Sequence, residues 1–185
     1  MPFGSLWLPV ILSAVAVFLV SSVLHMVLTY HKRGYKQLPN EDAVRATIGG
    51  ALAPGLYVVP YCSDMKKMAE PEMKKKFVDG PVAMLTIRPR GEVRLGKHLA
   101  QYFAFTLLVS FVAAYVARHT LVPGVSGMEV LRITGTIAFG IYGLGHMTDA
   151  IWEGEPWANT LTEIVDGAIY GVVTGLVFMF LWPSP

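Results

Sequence analysis

Cysteine is almost missing from this chain: Cys62 is the only one in 185 residues. That excludes an intramolecular disulfide and any multi-cysteine metal site. A lone thiol beside Tyr61 reads as inert, because reactivity needs a stabilised thiolate and access. Basic charge is also missing from most of the chain. Of fifteen Lys and Arg residues, only Arg118 and Arg132 fall outside 31–97. Charge of either sign is absent from the run Leu6–Thr29, and no long apolar run carries a proline beyond its first few residues, where Pro9 stands. Catalytic signatures are absent too. No HExxH-type pair, nucleophile motif or phosphate-binding glycine loop occurs, so no catalytic residue is assigned, no cofactor is expected, and a non-enzymatic role is the expectation.

What is present is apolar length. The hydrophobic fraction is 54% and the mean hydropathy +0.50, above the range of an ordinary soluble domain. About 20 apolar residues in a helix cross the hydrocarbon core. Four segments qualify: Leu6–Thr29, Leu99–Ala117, Val130–Ile151 and Leu161–Trp182. Trp7, Trp152, Trp157 and Trp182 fall at their ends, where aromatic belts form. The first run lacks a positive leader and is longer than a signal-peptide core, so it is expected to stay as an uncleaved span.

The stretch 31–97 carries thirteen basic and seven acidic residues, a net of +6; the rest of the chain carries −4. Positive charge concentrates in cytoplasmic segments and sets helix orientation. The expected fold is therefore an all-α membrane protein with four transmembrane helices and a small α+β cytosolic insertion between the first and second. Residues 1–30 form the first span with the N-terminus outside, 31–97 the basic cytosolic insertion, and 98–185 spans two to four. The expected location is an inner membrane, multi-pass, with both termini periplasmic. A short outer loop, 118–129 with Pro123, and an inner turn, 153–159, favour antiparallel neighbours.

Within the insertion, Asn40 is an expected N-cap, with Glu41 and Asp42 in the first turn and Gly49-Gly50 as the stop. Leu56–Pro60 and Val82–Ile87 are β-rich runs able to pair. Asp64–Asp79 reads as an amphipathic helix with Pro71 suited to its first position. Its Met face either lies on the membrane surface or packs on the strands. The expected partners are anionic lipid headgroups and, through glycine seams, other membrane-protein subunits or a second copy. No base-stacking motif accompanies the positive charge, so nucleic acid is not expected.

Short strings spread over the chain carry a resemblance: Pro39-Asn40-Glu41-Asp42-Ala43-Val44, Gly80-Pro81-Val82, Leu95-Gly96-Lys97, Ala113-Ala114-Tyr115-Val116, Asp166-Gly167-Ala168-Ile169-Tyr170-Gly171 and Leu181-Trp182-Pro183. With them the chain resembles a family of small uncharacterised bacterial four-span inner-membrane proteins. The resemblance implies the four-span topology and a bacterial source, and no activity.

Ionisable groups inside a membrane are costly and are functional candidates by default. His25, Gln101, Tyr142, His146, Asp149, Glu163, Asp166 and Tyr170 all fall in the same cytosolic third of the four runs. Tyr142, His146 and Asp149 share one helical face; so do Glu163, Asp166, Tyr170 and Thr174. They would form a polar cluster able to bind a cation or relay protons. The competing reading is structural. Thr160-Leu161-Thr162-Glu163 fits a capping box, Asp166 favours a helix N-terminus, and Asp149 reaches the headgroups. Gly167, Gly171 and Gly175 recur every four residues, and Gly135, Gly140, Gly143 and Gly145 stand in the preceding run. Such seams let helices pack closely. Three functions stay open: an accessory or assembly subunit, a small transporter or channel-like protein using the cluster, or a binder of a metal or other cofactor.

Overall fold

The apolar runs become long helices. A computed structural model describes residues 3–49, 52–122 and 124–183. Three helical stretches are long and apolar enough to cross a membrane: Gly4–Val27, Leu95–Thr120 and Trp157–Leu181. The first is composite. A 3-10 turn leads into helix α1 (Trp7–Ser22), and a π turn, Val23–Val27, ends it. The chain then turns extended at Leu28 (φ −80°, ψ 140°) and forms a 3-10 turn, Tyr30–Gly34.

The expected third span over 130–151 is not one helix. Helix α6 (Gly127–Tyr142) has 16 residues, about 24 Å at 1.5 Å per residue, short of a core about 30 Å thick. It stops at Gly143. A 3-10 turn, Leu144–His146, and a π turn, Asp149–Glu153, follow, and Gly154 closes them in the left-handed region (φ 78°). Gly140, Gly143 and Gly145 lie within six residues, and glycine is a poor helix former. The same residues read as packing seams in the sequence end the helix here.

The chain divides into two units, one of residues 1–35 and 94–185 and one of 36–93. In the helical unit α5 (Leu95–Thr120) packs on α1 and α6, and α7 (Trp157–Leu181) packs on α6 and α1. Leu6, Val10, Ala114, Val130 and Phe178 form one apolar core. Val17, Val109, Ala138, Tyr142 and Tyr170 form another. Buried Ser110 donates to Ser13 at 3.3 Å between α5 and α1.

Glycine sets the α6–α7 approach. A Cβ on Gly171 would lie 2.8 Å from the Gly135 carbonyl oxygen, and one on Gly175 would lie 2.9 Å from the Leu131 carbonyl oxygen. A Cβ on Gly167 would collide with the Gly143 backbone. Of the glycines expected in the facing run, Gly135 and Gly143 meet the seam, whereas a Cβ on Gly140 or Gly145 would meet open space.

The second unit holds α2 (Glu41–Gly49), β1 (Gly55–Val59), α3 (Met65–Met68), α4 (Pro71–Asp79) and β2 (Ala83–Ile87). The strands pair antiparallel, from Gly55 opposite Ile87 to Val59 opposite Ala83. The Asn40 carbonyl accepts from the Ala43 and Val44 amides at the start of α2. Gly50 and Pro123, both singled out in the sequence, lie outside the described residues. The expected amphipathic helix over 64–79 is two helices. Pro71 begins the second, and Asp64 caps the first by accepting from the Lys66 amide at 2.9 Å. Met65 and Met68 are exposed.

Gly171→Leu is expected to lower the thermal unfolding midpoint and the yield of folded protein sharply, because the carbonyl of Gly135 cannot move aside. Ala168→Leu, on the exposed face of the same helix, should be tolerated. Differential scanning fluorimetry in detergent compares the two.

Candidate functional site

Asp166 is 1% exposed and sits in the third turn of α7, a helix of membrane length. Its carboxylate is held from outside the helix. The Tyr30 hydroxyl donates to Oδ1 at 2.5 Å. His31 Nε2 lies 2.7 Å from Oδ2. His25 Nε2 lies 3.9 Å from the same oxygen. These partners come together because α1 ends in the π turn that carries His25, and the 3-10 turn after Leu28 brings Tyr30 and His31 back against α7. π turns inside helices recur at functional sites.

The two histidines lie against each other. Their rings stack with centroids 4.0 Å apart and planes 15° apart. His25 Nδ1 donates to the Ser21 carbonyl at 3.0 Å, and the Tyr170 hydroxyl oxygen stands 3.5 Å from that nitrogen. His31 Nδ1 lies 3.6 Å from Glu163 Oε1. His31 is 12% exposed, His25 44%. Burial, followed by the bond to Asp166 and the charges of Asp166 and Glu163, pushes the Tyr30 hydroxyl above its ordinary range. Tyr30 therefore remains the donor.

A cavity of about 640 Å³ opens beside this cluster, lined by His25, Tyr102, His146, Asp149, Glu163 and Tyr170 among others. Tyr142 also reaches its wall. Its ring meets Tyr170 (5.4 Å) and Phe105 (5.5 Å) edge-on, and its hydroxyl is buried with no hydrogen-bond partner among the described residues. His146 and Asp149 pair with each other at 3.3 Å on the broken segment after α6, both about two-fifths exposed. They share the cavity wall with Glu163 and do not reach Asp166.

Several expectations need correction. Gln101 is exposed and is not among the cavity-lining residues; its neighbour Tyr102 lines the cavity, since adjacent helical positions face different ways. The capping box at Thr160–Glu163 does not form. α7 starts one turn earlier, with Pro156 at its N-cap and Asn159 and Thr160 amides donating to the Pro156 carbonyl. Thr160 is buried and Glu163 faces His31 instead. Asp166 is consequently too far along α7 to serve its N-terminus. The sequence places Tyr30 at the end of the first span and His31 at the start of the basic stretch, and no periodic spacing marks either. The one available signal was a histidine immediately after a charge-free span that already carries a histidine. Comparison with protein-family models, curated proteins and solved structures finds no match.

Tyr30→Phe removes a bond to a buried carboxylate and is expected to cost about 2 kcal/mol. Tyr142→Phe deletes a hydroxyl with nothing to bind and should leave stability unchanged or raised. Unfolding of both variants in the same detergent measures the contrast.

Proposed function

We propose that the chain is a small four-span membrane protein that binds a cation at one end of its helical unit and serves as a transporter or channel-like protein. The observation that carries this reading is Asp166: a carboxylate 1% exposed in the third turn of an apolar helix of membrane length is expensive, and such residues mark ion and proton pathways. The cavity beside it supports the choice of a cation. Asp149 and Glu163 line it, and no Lys or Arg among the described residues does. One of the apolar runs breaks beside the cluster, at Gly143, and the first ends there in the π turn Val23–Val27. Discontinuous helices with polar turns at the site are the usual build of secondary transporters. At the other end, Leu6, Val10, Ala114, Val130 and Phe178 close the bundle with apolar packing, which suits a site open to one side at a time.

In this reading α6 and the turns after it complete a fourth crossing. The net +6 of 31–97 holds the insertion in the cytosol against anionic headgroups. Both termini are then periplasmic in a bacterial inner membrane. The seam Gly167–Gly171–Gly175 is taken up by α6 of the same chain, so it gives the accessory-subunit reading no surface for a partner helix.

Proteoliposomes test this. The wild-type protein should pass protons, a monovalent or a divalent cation faster than empty vesicles, and Asp166→Asn should reduce the flux at least tenfold. Flux equal to that of empty vesicles for all three classes contradicts the reading. In cells, a membrane-impermeant thiol reagent should reach Cys62 in inverted vesicles and not in intact spheroplasts; the reverse overturns the orientation.

A further inference from the structure

Two stacked imidazoles meet one buried carboxylate oxygen, and only one of them is within hydrogen-bond distance of it. The Ser21 carbonyl can only accept, so His25 Nδ1 carries the hydrogen and, in the neutral ring, Nε2 is bare. That bare nitrogen faces Asp166 Oδ2 at 3.9 Å, acceptor against acceptor. We propose that His25, His31 and Asp166 form a binding site for a late first-row divalent cation such as Zn²⁺, which enters from the cavity; the inference rests on the cation-binding reading above and names its substrate class.

The donor set fits. Imidazole and carboxylate ligands suit zinc and its neighbours. The three ligand atoms lie within 4.8 Å of one another. Metal–ligand distances of about 2.0–2.2 Å place tetrahedral ligand atoms about 3.3 Å apart. To reach that spacing the 2.7 Å contact of His31 must open and the 3.9 Å gap of His25 must close, each by about 0.6 Å, and the two rings, stacked 15° from parallel, must fan apart so that both Nε2 lone pairs point at one ion.

The surroundings are those of a metal site. Ligating histidines commonly donate their other ring N–H to an oxygen, which fixes tautomer and direction. His25 does so to Ser21. His31 has Glu163 Oε1 beside its Nδ1 at 3.6 Å. On metal binding its ring hydrogen sits on Nδ1, toward Glu163, and Nε2 is released to the cation. Tyr30 occupies Oδ1 of Asp166 and leaves Oδ2 to the metal. Two neutral imidazoles with Asp166 and Glu163 sum to −2, which a divalent cation cancels. His25 lines the cavity, so the open coordination position is reached from there.

The test uses full-length protein carrying Cys62→Ser, which removes the one thiol, purified in detergent and treated with EDTA. Calorimetric titration with Zn²⁺ should give one ion per chain, and Zn²⁺ should raise the unfolding midpoint. Mg²⁺, a hard cation that keeps its waters, should do neither. His25→Ala leaves the Tyr30 and His31 contacts to Asp166 intact and should weaken Zn²⁺ binding at least tenfold. His31→Ala should weaken it at least as much. His119→Ala, at the other end of α5 with its ring on the Tyr115 carbonyl, should leave it unchanged. No Zn²⁺ binding by protein that unfolds cooperatively overturns the proposal. So does binding that survives both His25→Ala and His31→Ala. Zn²⁺ binding without flux in proteoliposomes keeps this site and removes the transport reading; flux of other cations without Zn²⁺ binding does the opposite.

Discussion

Burial of the Asp166 carboxylate inside a helix of membrane length is the constraint on which the rest of the helical unit depends. An isolated charge in a low-dielectric interior costs far more than any single packing contact returns. The chain meets that cost with two hydrogen-bonding contacts, from Tyr30 and His31. Both donors come from the segment just beyond α1. To deliver them, α1 must end where it does, pass through a π turn and fold back at Leu28. The same turn carries His25 to the carboxylate. One electrostatic requirement therefore accounts for the break in the first helix, the path of the following loop and the gathering of the titratable groups.

Close helix packing keeps the site in place. Gly167, on the residue after Asp166, lies against the Gly143 backbone, and Gly171 against Gly135. α7 is thereby pressed onto α6 along the face adjacent to the carboxylate. Gly143 also marks where α6 stops, so the contact that fixes α7 coincides with the start of the irregular segment bearing His146 and Asp149. Those two residues pair with each other and form the opposite polar wall of the cavity.

Much of the frame was legible in the sequence. Apolar length marked three of the helices, the β-rich runs at 56–60 and 82–87 paired as strands, and the four-residue glycine spacing recorded a close approach on α7. The break in the third run was not legible, because three glycines in six residues are compatible with a seam or with a stop, and Gly143 is both: it lies against Ile164 of α7 and ends α6. The core of the site was half legible. Asp166 and Glu163 stood out by depth and spacing. His31 did not: six residues from His25 is not helical spacing in a run that reads as a helix, and the two rings stack only because the chain leaves the helix between them. The capping motif at Thr160 misled for a related reason, since Pro156 allowed α7 to begin a turn earlier.

The account turns on whether Asp166 and His31 act as one unit across the fold. A double-mutant cycle with His31→Ala, Asp166→Ala and the double variant, read as unfolding free energies in one detergent, measures this directly. A coupled pair predicts that the double variant is less destabilised than the sum of the single ones, with an interaction energy of about 1.5–3 kcal/mol. Costs that simply add would mean that the histidine and the carboxylate do not meet, and would contradict the site.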